Sequence, residues 1–220
     1  MKIRNTDLFE SVPKLLSPLF KATEYPHQVI VGLRYALEKI IENPPKGFTV
    51  YKDGVLIGKD VTIEDGATIL PPTVICDGAV IRHGAYIRGS AFIGECAVVG
   101  HATEVKNSIL MSRAEAPHFN YVGDSILGNH AHIGAGVILS NLKADNSTVT
   151  IKGEASLSTG MRKLGAILGD GAEVGCNSVL NPGSVIGKGS IIYPLVSWRG
   201  VLPEGYIAKS QSEITTKLLY

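Results

Sequence analysis

Residues 57–105 read IGKDVTIEDGATILPPTVICDGAVIRHGAYIRGSAFIGECAVVGHATEV, and within them a large aliphatic residue recurs at every sixth position. These positions are Ile57, Ile63, Ile69, Ile75, Ile81, Ile87, Ile93, Val99 and Val105. A period of six differs from the 3.6-residue period of a helix and from the two-residue alternation of a strand. It is the hexapeptide signature of a parallel β-helix.

The position four places after each aliphatic residue is small or β-branched. It is occupied by Val61, Ala67, Thr73, Ala79, Ala85, Ala91, Ala97 and Thr103. We interpret each hexad as a short strand and a turn, with three hexads, about 18 residues, forming one triangular coil. The aliphatic residue then points into the prism, and the small residue fits a corner where a bulky one would collide with the next coil.

The same frame predicts where the coils begin, break and end. It restarts after two five-residue steps at Leu110, Ala116, Val122, Leu127, Ile133 and Leu139, and it resumes at Leu168, Val174, Leu180, Ile186 and Ile192. We predict a β-helix of six or seven coils over residues 51–200, with an inserted loop at residues 141–165.

The segments on either side of the coils have different patterns. Residues 1–50 are expected to form a helical cap over the open edge of the first coil, with one helix at residues 28–43 and another within residues 7–20. Residues 201–220 are expected to be a C-terminal tail that ends in a short helix over residues 212–220.

Composition excludes several classes of protein. The chain has 220 residues, 19% of them charged, and a mean hydropathy of +0.18, which suits a packed domain and not a disordered one. A formal net charge of +1 gives no field that would attract nucleic acid or an anionic membrane. With no secretion signal and no apolar run near the roughly 20 residues that cross a bilayer, we expect a cytoplasmic protein.

Residues one coil apart on the same face should stack, and this places charged residues side by side. Arg88 and Lys106 differ by one coil length and would repel each other unless an anion lies beside them. They are either two solvated charges on a flat face or a phosphate site, in which arginine supplies a fork and lysine a point charge.

Three histidines fall in another such column: His83, His101 and, after one five-residue step, His118. A row of neutral imidazoles could bind a metal. Alternatively, only one of them takes part in a reaction and the others are surface residues. His118 is then favoured because it lies where the repeat is disturbed. The next position in the column is Ala135, whose flanking glycines allow another molecule to approach the backbone closely.

The runs HFNYVGD at residues 118–124 and GNHAHIGAG at residues 128–136, followed by Asn141, resemble the acetyltransferase domain of the bifunctional enzymes that make UDP-N-acetylglucosamine. The resemblance covers roughly residues 54–209. It implies a left-handed parallel β-helix, a homotrimer with sites between subunits, and acetyl-CoA as the cofactor. By the same resemblance His118 is the catalytic base, Arg88 and Lys106 bind the phosphate, Tyr121 and Asn141 contact the sugar, and Ala135 contacts acetyl-CoA.

The chemistry of the residues agrees with these roles. A hexosamine amine must lose a proton before it attacks a thioester, and a histidine with an unperturbed pKa near 6.5 suits that task. The oxyanion that then forms needs a donor, which the backbone N–H of Ala135 would supply.

Several residues depart from the family pattern. His132 stands where the family has an asparagine, and Leu142 stands where it has an aromatic residue. Residues 1–50 contain no glycine-rich nucleotide loop of the uridylyltransferase type, so we do not expect that activity of the bifunctional enzymes here. Residues 158–166 resemble archaeal members, and Arg162 and Lys163 either reach a phosphate of CoA or the sugar or remain solvated.

The sequence therefore predicts an acetyl-CoA-dependent N-acetyltransferase that acts on an amino-sugar 1-phosphate. One alternative is a non-catalytic β-helix subunit that binds a sugar nucleotide or assembles with a separate nucleotidyltransferase. Another is a metal-dependent β-helix hydrase that would use the histidine column.

Overall fold

Three sheets form the sides of a triangular prism in the computed structural model, which describes residues 3–217. We number the strands β1 to β27 in chain order and call the three sides face 1, face 2 and face 3. Face 1 consists of β1 (Thr49–Lys52), β2 (Val55–Ile57), β5 (Thr73–Ile75), β8 (Ala91–Ile93), β11 (Ser108–Leu110), β14 (Ile126–Leu127), β19 (Ala166–Leu168), β22 (Ser184–Ile186) and β25 (Val201–Leu202). Face 2 consists of β3 (Thr62–Ile63), β6 (Val80–Ile81), β9 (Val98–His101), β12 (Glu115–His118), β15 (His132–Ile133), β20 (Glu173–Val174), β23 (Ile191–Ile192), β26 (Tyr206–Ala208) and β27 (Ile214–Thr216). Face 3 consists of β4 (Thr68–Ile69), β7 (Tyr86–Ile87), β10 (Glu104–Lys106), β13 (Tyr121–Gly123), β16 (Ile138–Leu139), β21 (Val179–Leu180) and β24 (Ser197–Trp198).

Within the coils, each strand pairs in parallel with the strand one coil away. Val55 aligns with Thr73, and Ile57 aligns with Ile75. Successive hexads lie on faces 1, 2 and 3 in turn, so three of them complete one coil. The predicted β-helix of hexapeptide repeats is confirmed.

The number of coils is larger than predicted. Among the described residues, face 1 contains nine strands, of which only β1 is antiparallel to its neighbour. The estimate of six or seven coils was therefore too low. Val201 aligns with Val185 and Ile207 with Ile191, so shorter steps carry the coils past Ile192 and hide them from a strict six-residue frame.

The aliphatic residues of the repeat fill the interior of the prism. Ile81, Ile87 and Ile93 have no exposed surface, and burying a side chain of this size stabilises the fold by roughly 1.5–3 kcal/mol. Small polar residues occupy the corners, where Ser184 Oγ donates to Asn181 O at 2.6 Å and Ser190 Oγ donates to Pro203 O at 2.6 Å. These bonds satisfy the hydroxyls of buried residues.

The N-terminal region is helical, as predicted. It contains α1 (Asn5–Leu8), a 3₁₀ turn (Lys14–Leu16), α2 (Ser17–Lys21) and α3 (Pro26–Glu42). Pro26 begins α3 because proline is tolerated in the first turn of a helix. Within residues 3–217, no helix is long and apolar enough to cross a bilayer.

These helices lie against the outer side of face 1, whereas we expected them over the open edge of the first coil. The outward residues of face 1 are apolar and buried: Leu56, Val74, Phe92, Ile109, Ile126, Ile167 and Val185. They form one cluster with the buried side of α3, which consists of Val29, Ile30, Leu33 and Leu37. The edge of the first coil on this face is instead paired with β1.

The inserted loop also covers the outer side of face 1. It contains a hairpin of β17 (Thr150–Lys152) and β18 (Ser156–Ser158), and its buried Val149 and Ile151 belong to the same apolar cluster. Gly183 permits the contact, because a Cβ there would lie 2.8 Å from Val149 Cγ1. Face 1 is thus covered along most of its length, and faces 2 and 3 remain open.

The end of the chain differs from expectation. The predicted helix over residues 212–220 is wrong in its described part, since Ile214–Thr216 forms β27 and pairs antiparallel with β26. The remainder of that segment, residues 218–220, lies outside the described residues. An antiparallel strand satisfies the free edge of face 2, which a helix would leave unpaired.

Asp170 joins the N-terminal segment to the corner between faces 1 and 2. Its backbone N–H donates to Leu8 O at 3.0 Å. Its carboxylate accepts the N–H of Glu10 at 2.8 Å and the N–H of Asn129 at 2.7 Å. Burial raises the pKa of this carboxyl group, so the N–H donors offset an unfavourable desolvation.

We predict that Asp170→Ala lowers the free energy of unfolding by about 1–3 kcal/mol, because two backbone N–H groups lose their acceptor. Urea unfolding followed by circular dichroism measures the change. The control is Asp65→Ala, since the Asp65 carboxylate is exposed and makes no hydrogen bond within the described residues. Equal losses in both variants would contradict the role of Asp170.

Candidate functional site

His118 lies at the corner between faces 2 and 3, which we call the His118 corner. It ends β12 and aligns with His101 on the preceding coil. Its carbonyl accepts the N–H of Gly136 from the next coil at 3.0 Å. The side chain is exposed, and its ring makes no hydrogen bond within residues 3–217. The imidazole is therefore available to an external proton donor.

The three predicted histidines share a backbone column, but only two of their rings stack. The His83 and His101 rings lie 5.6 Å apart and nearly parallel. The next ring on His101 belongs to Phe119, which packs edge-on at 5.2 Å. His118 does not join the stack because Phe119, at a φ of 52°, takes that place. Across the part of the chain that the structure describes, no group of three His, Cys, Asp or Glu residues is arranged to hold a metal ion.

Ala135 follows His118 in the same column, one coil further on. Its carbonyl accepts the N–H of Asn177 at 2.8 Å, whereas its own N–H donates no hydrogen bond to any described residue. The glycines on either side are required, because a Cβ on Gly134 would lie 2.9 Å from Cys176 Sγ and Gly136 has a φ of 73°. The result is a half-buried corner with a free backbone donor.

Asn120 connects these two residues, and sequence reasoning missed it. Its side chain is 3% exposed. Asn120 Oδ1 accepts the N–H of His118 at 3.1 Å, and Nδ2 donates to Gly134 O at 2.8 Å. One signal could have found it: Asn120 stands four places after Ala116, where the repeat otherwise has small or β-branched residues.

Tyr121 and Asn141 are brought together on face 3. Asn141 Nδ2 donates to the Tyr121 hydroxyl at 3.1 Å. Gly123 makes room for the pair, since a Cβ there would lie 2.6 Å from the hydroxyl and 2.7 Å from Nδ2. Burial is the main cause of the raised pKa of Tyr121, so its hydroxyl stays protonated and can donate.

Asp124 anchors the corner between faces 3 and 1, which we call the Asn141 corner, and it was also missed. Its side chain is 5% exposed and accepts from Lys106 Nζ at 3.3 Å. Asn107 Nδ2 donates to the same carboxylate at 2.7 Å, and Asn141 Nδ2 donates to it as well. Two amides and one ammonium group thus satisfy one nearly buried carboxylate.

Arg88 lies one coil before Lys106, as predicted, but neither cation is free. Arg88 Nη1 contacts Glu104 Oε1 at 2.7 Å. This hydrogen bond and the charge of Glu104 raise the pKa of Arg88. Each cation of the expected phosphate site therefore has its own carboxylate partner within the chain.

The inserted loop returns to the coils at the Asn141 corner. Leu164 N donates to Asn141 O at 3.0 Å, and Lys163 forms an isolated bridge with Leu142. Arg162 and Lys163 are exposed. The other departure from the family pattern, His132, lies on face 2 with its Nδ1 2.9 Å from Glu173 Oε2.

The predicted site residues therefore line both edges of face 3. His118 and Ala135 occupy the His118 corner. Tyr121 lies on the face itself, and its hydroxyl reaches the Asn141 corner. That second corner holds Arg88, Lys106, Asn141, Arg162 and Lys163.

Comparison with known proteins identifies the family of this chain. The protein-family model of the GMPPB C-terminal domain matches residues 69–162. The bifunctional protein GlmU of Methanococcus vannielii is 38% identical over 92 residues, which are 42% of this chain and 22% of that protein. The bifunctional sugar-1-phosphate nucleotidylyltransferase/acetyltransferase of Sulfurisphaera tokodaii is 40% identical over 95 residues, 42% of this chain and 23% of that protein. The match spans less than a quarter of these two bifunctional proteins.

A longer match extends over most of the prism. The acetyltransferase YaiX of Escherichia coli strain K12, itself named as uncharacterized, is 32% identical over 163 residues, which are 74% of this chain and 71% of that protein. The chain belongs to the hexapeptide-repeat acetyltransferases. Among solved structures, the acetyltransferase domain of PglB from Neisseria gonorrhoeae in complex with acetyl coenzyme A is 16% identical, covering 83% of this chain and 64% of that chain, with a TM-score of 0.33. Similarity at this identity and TM-score does not identify site residues.

Membership in the hexapeptide-repeat acetyltransferases makes this chain an enzyme of the acyltransferase class. This membership also confirms the family of acetyltransferases that the motifs within residues 118–141 predicted. The roles of the individual residues stay predictions.

We predict that Asp124→Ala destabilises the acetyltransferase far more than Glu104→Ala does. Removing Asp124 leaves an ammonium group and two amides without their acceptor, which typically costs about 1–3 kcal/mol or more. The Arg88–Glu104 pair is half-exposed, so water replaces it at little cost. Urea unfolding of the two variants measures the difference, and equal shifts would contradict the anchoring role of Asp124.

Proposed function

We propose that this acetyltransferase transfers the acetyl group of acetyl-CoA to the amine of an amino-sugar 1-phosphate, with His118 as the general base. The observation that carries the proposal is the His118 corner, where an unpartnered imidazole and the free N–H of Ala135 lie on adjacent coils. A base and an oxyanion donor are the two groups that amine acetylation requires.

His118 removes the proton from the attacking amine. Its ring is exposed and has no acceptor or donor within the described residues, so a substrate ammonium group can take that place. Histidine is the side chain that most often acts as a general base in such proton transfers.

The N–H of Ala135 stabilises the negative charge that develops on the acetyl oxygen. This donor is fixed in advance, because the Ala135 carbonyl is bound to Asn177 and the Gly134 carbonyl is bound to Asn120. Rigid donors of this kind need no reorganisation at the moment of reaction.

The sugar binds over face 3. Tyr121 and Asn141 present a hydroxyl and an amide toward the open face, and hydroxyl-rich ligands are recognised by groups of this kind. The phosphate binds at the Asn141 corner by taking the place of Glu104 on Arg88, with Lys106 and the exposed Arg162 and Lys163 nearby.

The residues of the His118 corner fit acetyl-CoA as the acyl donor. Gly134, Ala135 and Gly136 have little or no side chain, so an extended thioester can approach the backbone. Acetyl-CoA supplies the activated acetyl group. The chain supplies the base, the donor and the surface along which the cofactor lies.

A homotrimer completes the site. Phe119 is 58% exposed and Leu195 is 78% exposed, and both lie at the His118 corner in left-handed conformations. Large apolar side chains held outward at one edge favour a partner surface, and the covered face 1 leaves faces 2 and 3 for it.

One observation favours a second candidate function. Arg88 and Lys106 are already neutralised by Glu104 and Asp124, so an anionic ligand must displace a carboxylate. Assembly with a separate nucleotidyltransferase, which binds no anion at this corner, would need no such exchange.

We predict that purified protein releases CoA thiol from acetyl-CoA only when an amino-sugar phosphate such as glucosamine 1-phosphate is present. His118→Ala should lower kcat by about 10² to 10⁴, because the amine then loses its base. A thiol-release assay with a panel of phosphorylated and unphosphorylated amino sugars measures both effects.

The matched control is His101→Ala, one coil away in the same column. The His101 Nδ1 is hydrogen-bonded to His83 O at 2.8 Å, so this ring is structural. If neither adding an acceptor nor replacing His118 changes the rate of thiol release, or if acetyl-CoA does not bind, the proposed reaction is wrong and assembly with a nucleotidyltransferase is favoured.

We also predict that acetyl-CoA protects Cys176 from alkylation and leaves Cys96 unprotected. Both thiols are exposed. Cys176 follows Ala135 in its column, whereas Cys96 lies on the opposite edge of face 2. Mass spectrometry after maleimide labelling with and without acetyl-CoA measures the two rates, and equal protection of both thiols would place the cofactor elsewhere.

A further inference from the structure

Asn120 is a buried amide that bridges the two groups of the proposed reaction. It lies between β12 and β13 and is 3% exposed. Besides its bonds to His118 N and Gly134 O, its backbone N–H donates to Thr103 Oγ1 at 3.3 Å, and Nδ2 also lies 3.4 Å from Val137 O. Three successive coils therefore meet at this residue.

The bond to Gly134 O acts on the oxyanion donor through the peptide plane. The carbonyl of Gly134 and the N–H of Ala135 belong to the same planar peptide group. Nδ2 of Asn120 holds the carbonyl at 2.8 Å, so it fixes the direction in which the N–H at the other end of the plane points. Donation to that carbonyl also polarises the peptide group and strengthens its N–H as a donor.

The bond to His118 acts on the base through the backbone. Asn120 Oδ1 accepts the N–H of His118 at 3.1 Å, and the next residue, Phe119, has a left-handed φ of 52°. Such a conformation is unfavourable for a bulky residue and persists only where the surroundings hold it. The side-chain amide of Asn120 provides part of that restraint.

We propose that Asn120 is a positioning residue that sets the His118 base and the Ala135 N–H at a fixed separation. This inference rests on the proposed function. Asn120 is buried and reaches neither substrate, so it acts on the rate of the chemical step and not on the affinity for acetyl-CoA or the acceptor.

The test uses Asn120→Asp, which keeps the shape and the acceptor for His118 N but removes the donor to Gly134 O. An ionised carboxylate facing a carbonyl oxygen turns the peptide plane away, and we expect kcat to fall by about 10²-fold, as when an oxyanion donor is lost. Both KM values should stay within about threefold of wild type.

The pH dependence separates positioning from general loosening. Of the residues that the side chain of Asn120 hydrogen-bonds, only His118 has an ionisable side chain. Once protonated, the introduced carboxyl can again donate to Gly134 O, so the ratio of variant to wild-type kcat should rise as the pH falls from about 8 to 5. Asn120→Ala should show a loss whose ratio to wild type does not change with pH.

The matched control is Asn181→Asp. Asn181 Nδ2 makes the same type of bond to Trp198 O on the next coil, at 2.9 Å, but lies away from the His118 corner. Its substitution should leave the pH profile of kcat unchanged. Circular dichroism and urea unfolding verify that both variants are folded.

Hydrogen exchange provides a readout that does not need turnover. In Asn120→Asp, peptides that contain His118 and residues 134–137 should exchange faster than in wild type, and those around Asn181 should not. Equal exchange, or a kcat within about threefold of wild type in an active enzyme, overturns the role of Asn120. A wild-type protein inactive with every acceptor overturns the proposed function instead, and the positioning role falls with it.

Discussion

The backbone hydrogen bond from one coil to the next is the interaction on which this structure depends. Each coil repeats it at the same places, as when Gly136 N donates to His118 O at 3.0 Å and Asn177 N donates to Ala135 O at 2.8 Å. Because the coils are about 4.8 Å apart, a corner residue has room for a side chain only where the stack permits it. Residues that are distant in sequence therefore form straight columns, and the candidate base and oxyanion donor are consecutive members of one column.

The three faces of the prism have different outward residues, and this decides which of them can bind a ligand. Face 1 has apolar residues on its outer side and is covered by α3 and the β17–β18 hairpin. Face 3 instead has Tyr86, Glu104 and Tyr121 on its outer side, and these stay partly exposed. One long helix is enough to cover much of face 1, because its continuous apolar stripe packs along a flat sheet. It leaves faces 2 and 3, with the His118 corner between them, open to substrates or to other subunits.

Much of the fold and part of the site could be predicted from the sequence. The six-residue period of Ile57 to Val105 fixes the interior, the register and the columns, because backbone stacking allows few alternatives. The period could not place α3, since an amphipathic helix fits any apolar surface, and the outward Leu56, Val74 and Phe92 of face 1 lie outside the six-residue pattern. Nor could it find Asn120 and Asp124, whose roles depend on which neighbouring coil supplies their partners. The same limit applies to the histidines, where backbone stacking of His101 and His118 was predictable but the intervening ring of Phe119 was not.

The ion pairs at the Asn141 corner bear on how the proposed anionic acceptor would be recognised. Lys106 shares a nearly buried carboxylate with two amides, so releasing it would leave Asp124 desolvated with a partner missing. Arg88 is 43% exposed, and its partner Glu104 can turn to water without such a loss. A guanidinium group also offers two parallel donors to a phosphate, which an ammonium group cannot do. Arg88 is therefore the cation that a phosphate would reach first, and Lys106 contributes charge from its place beside Asp124.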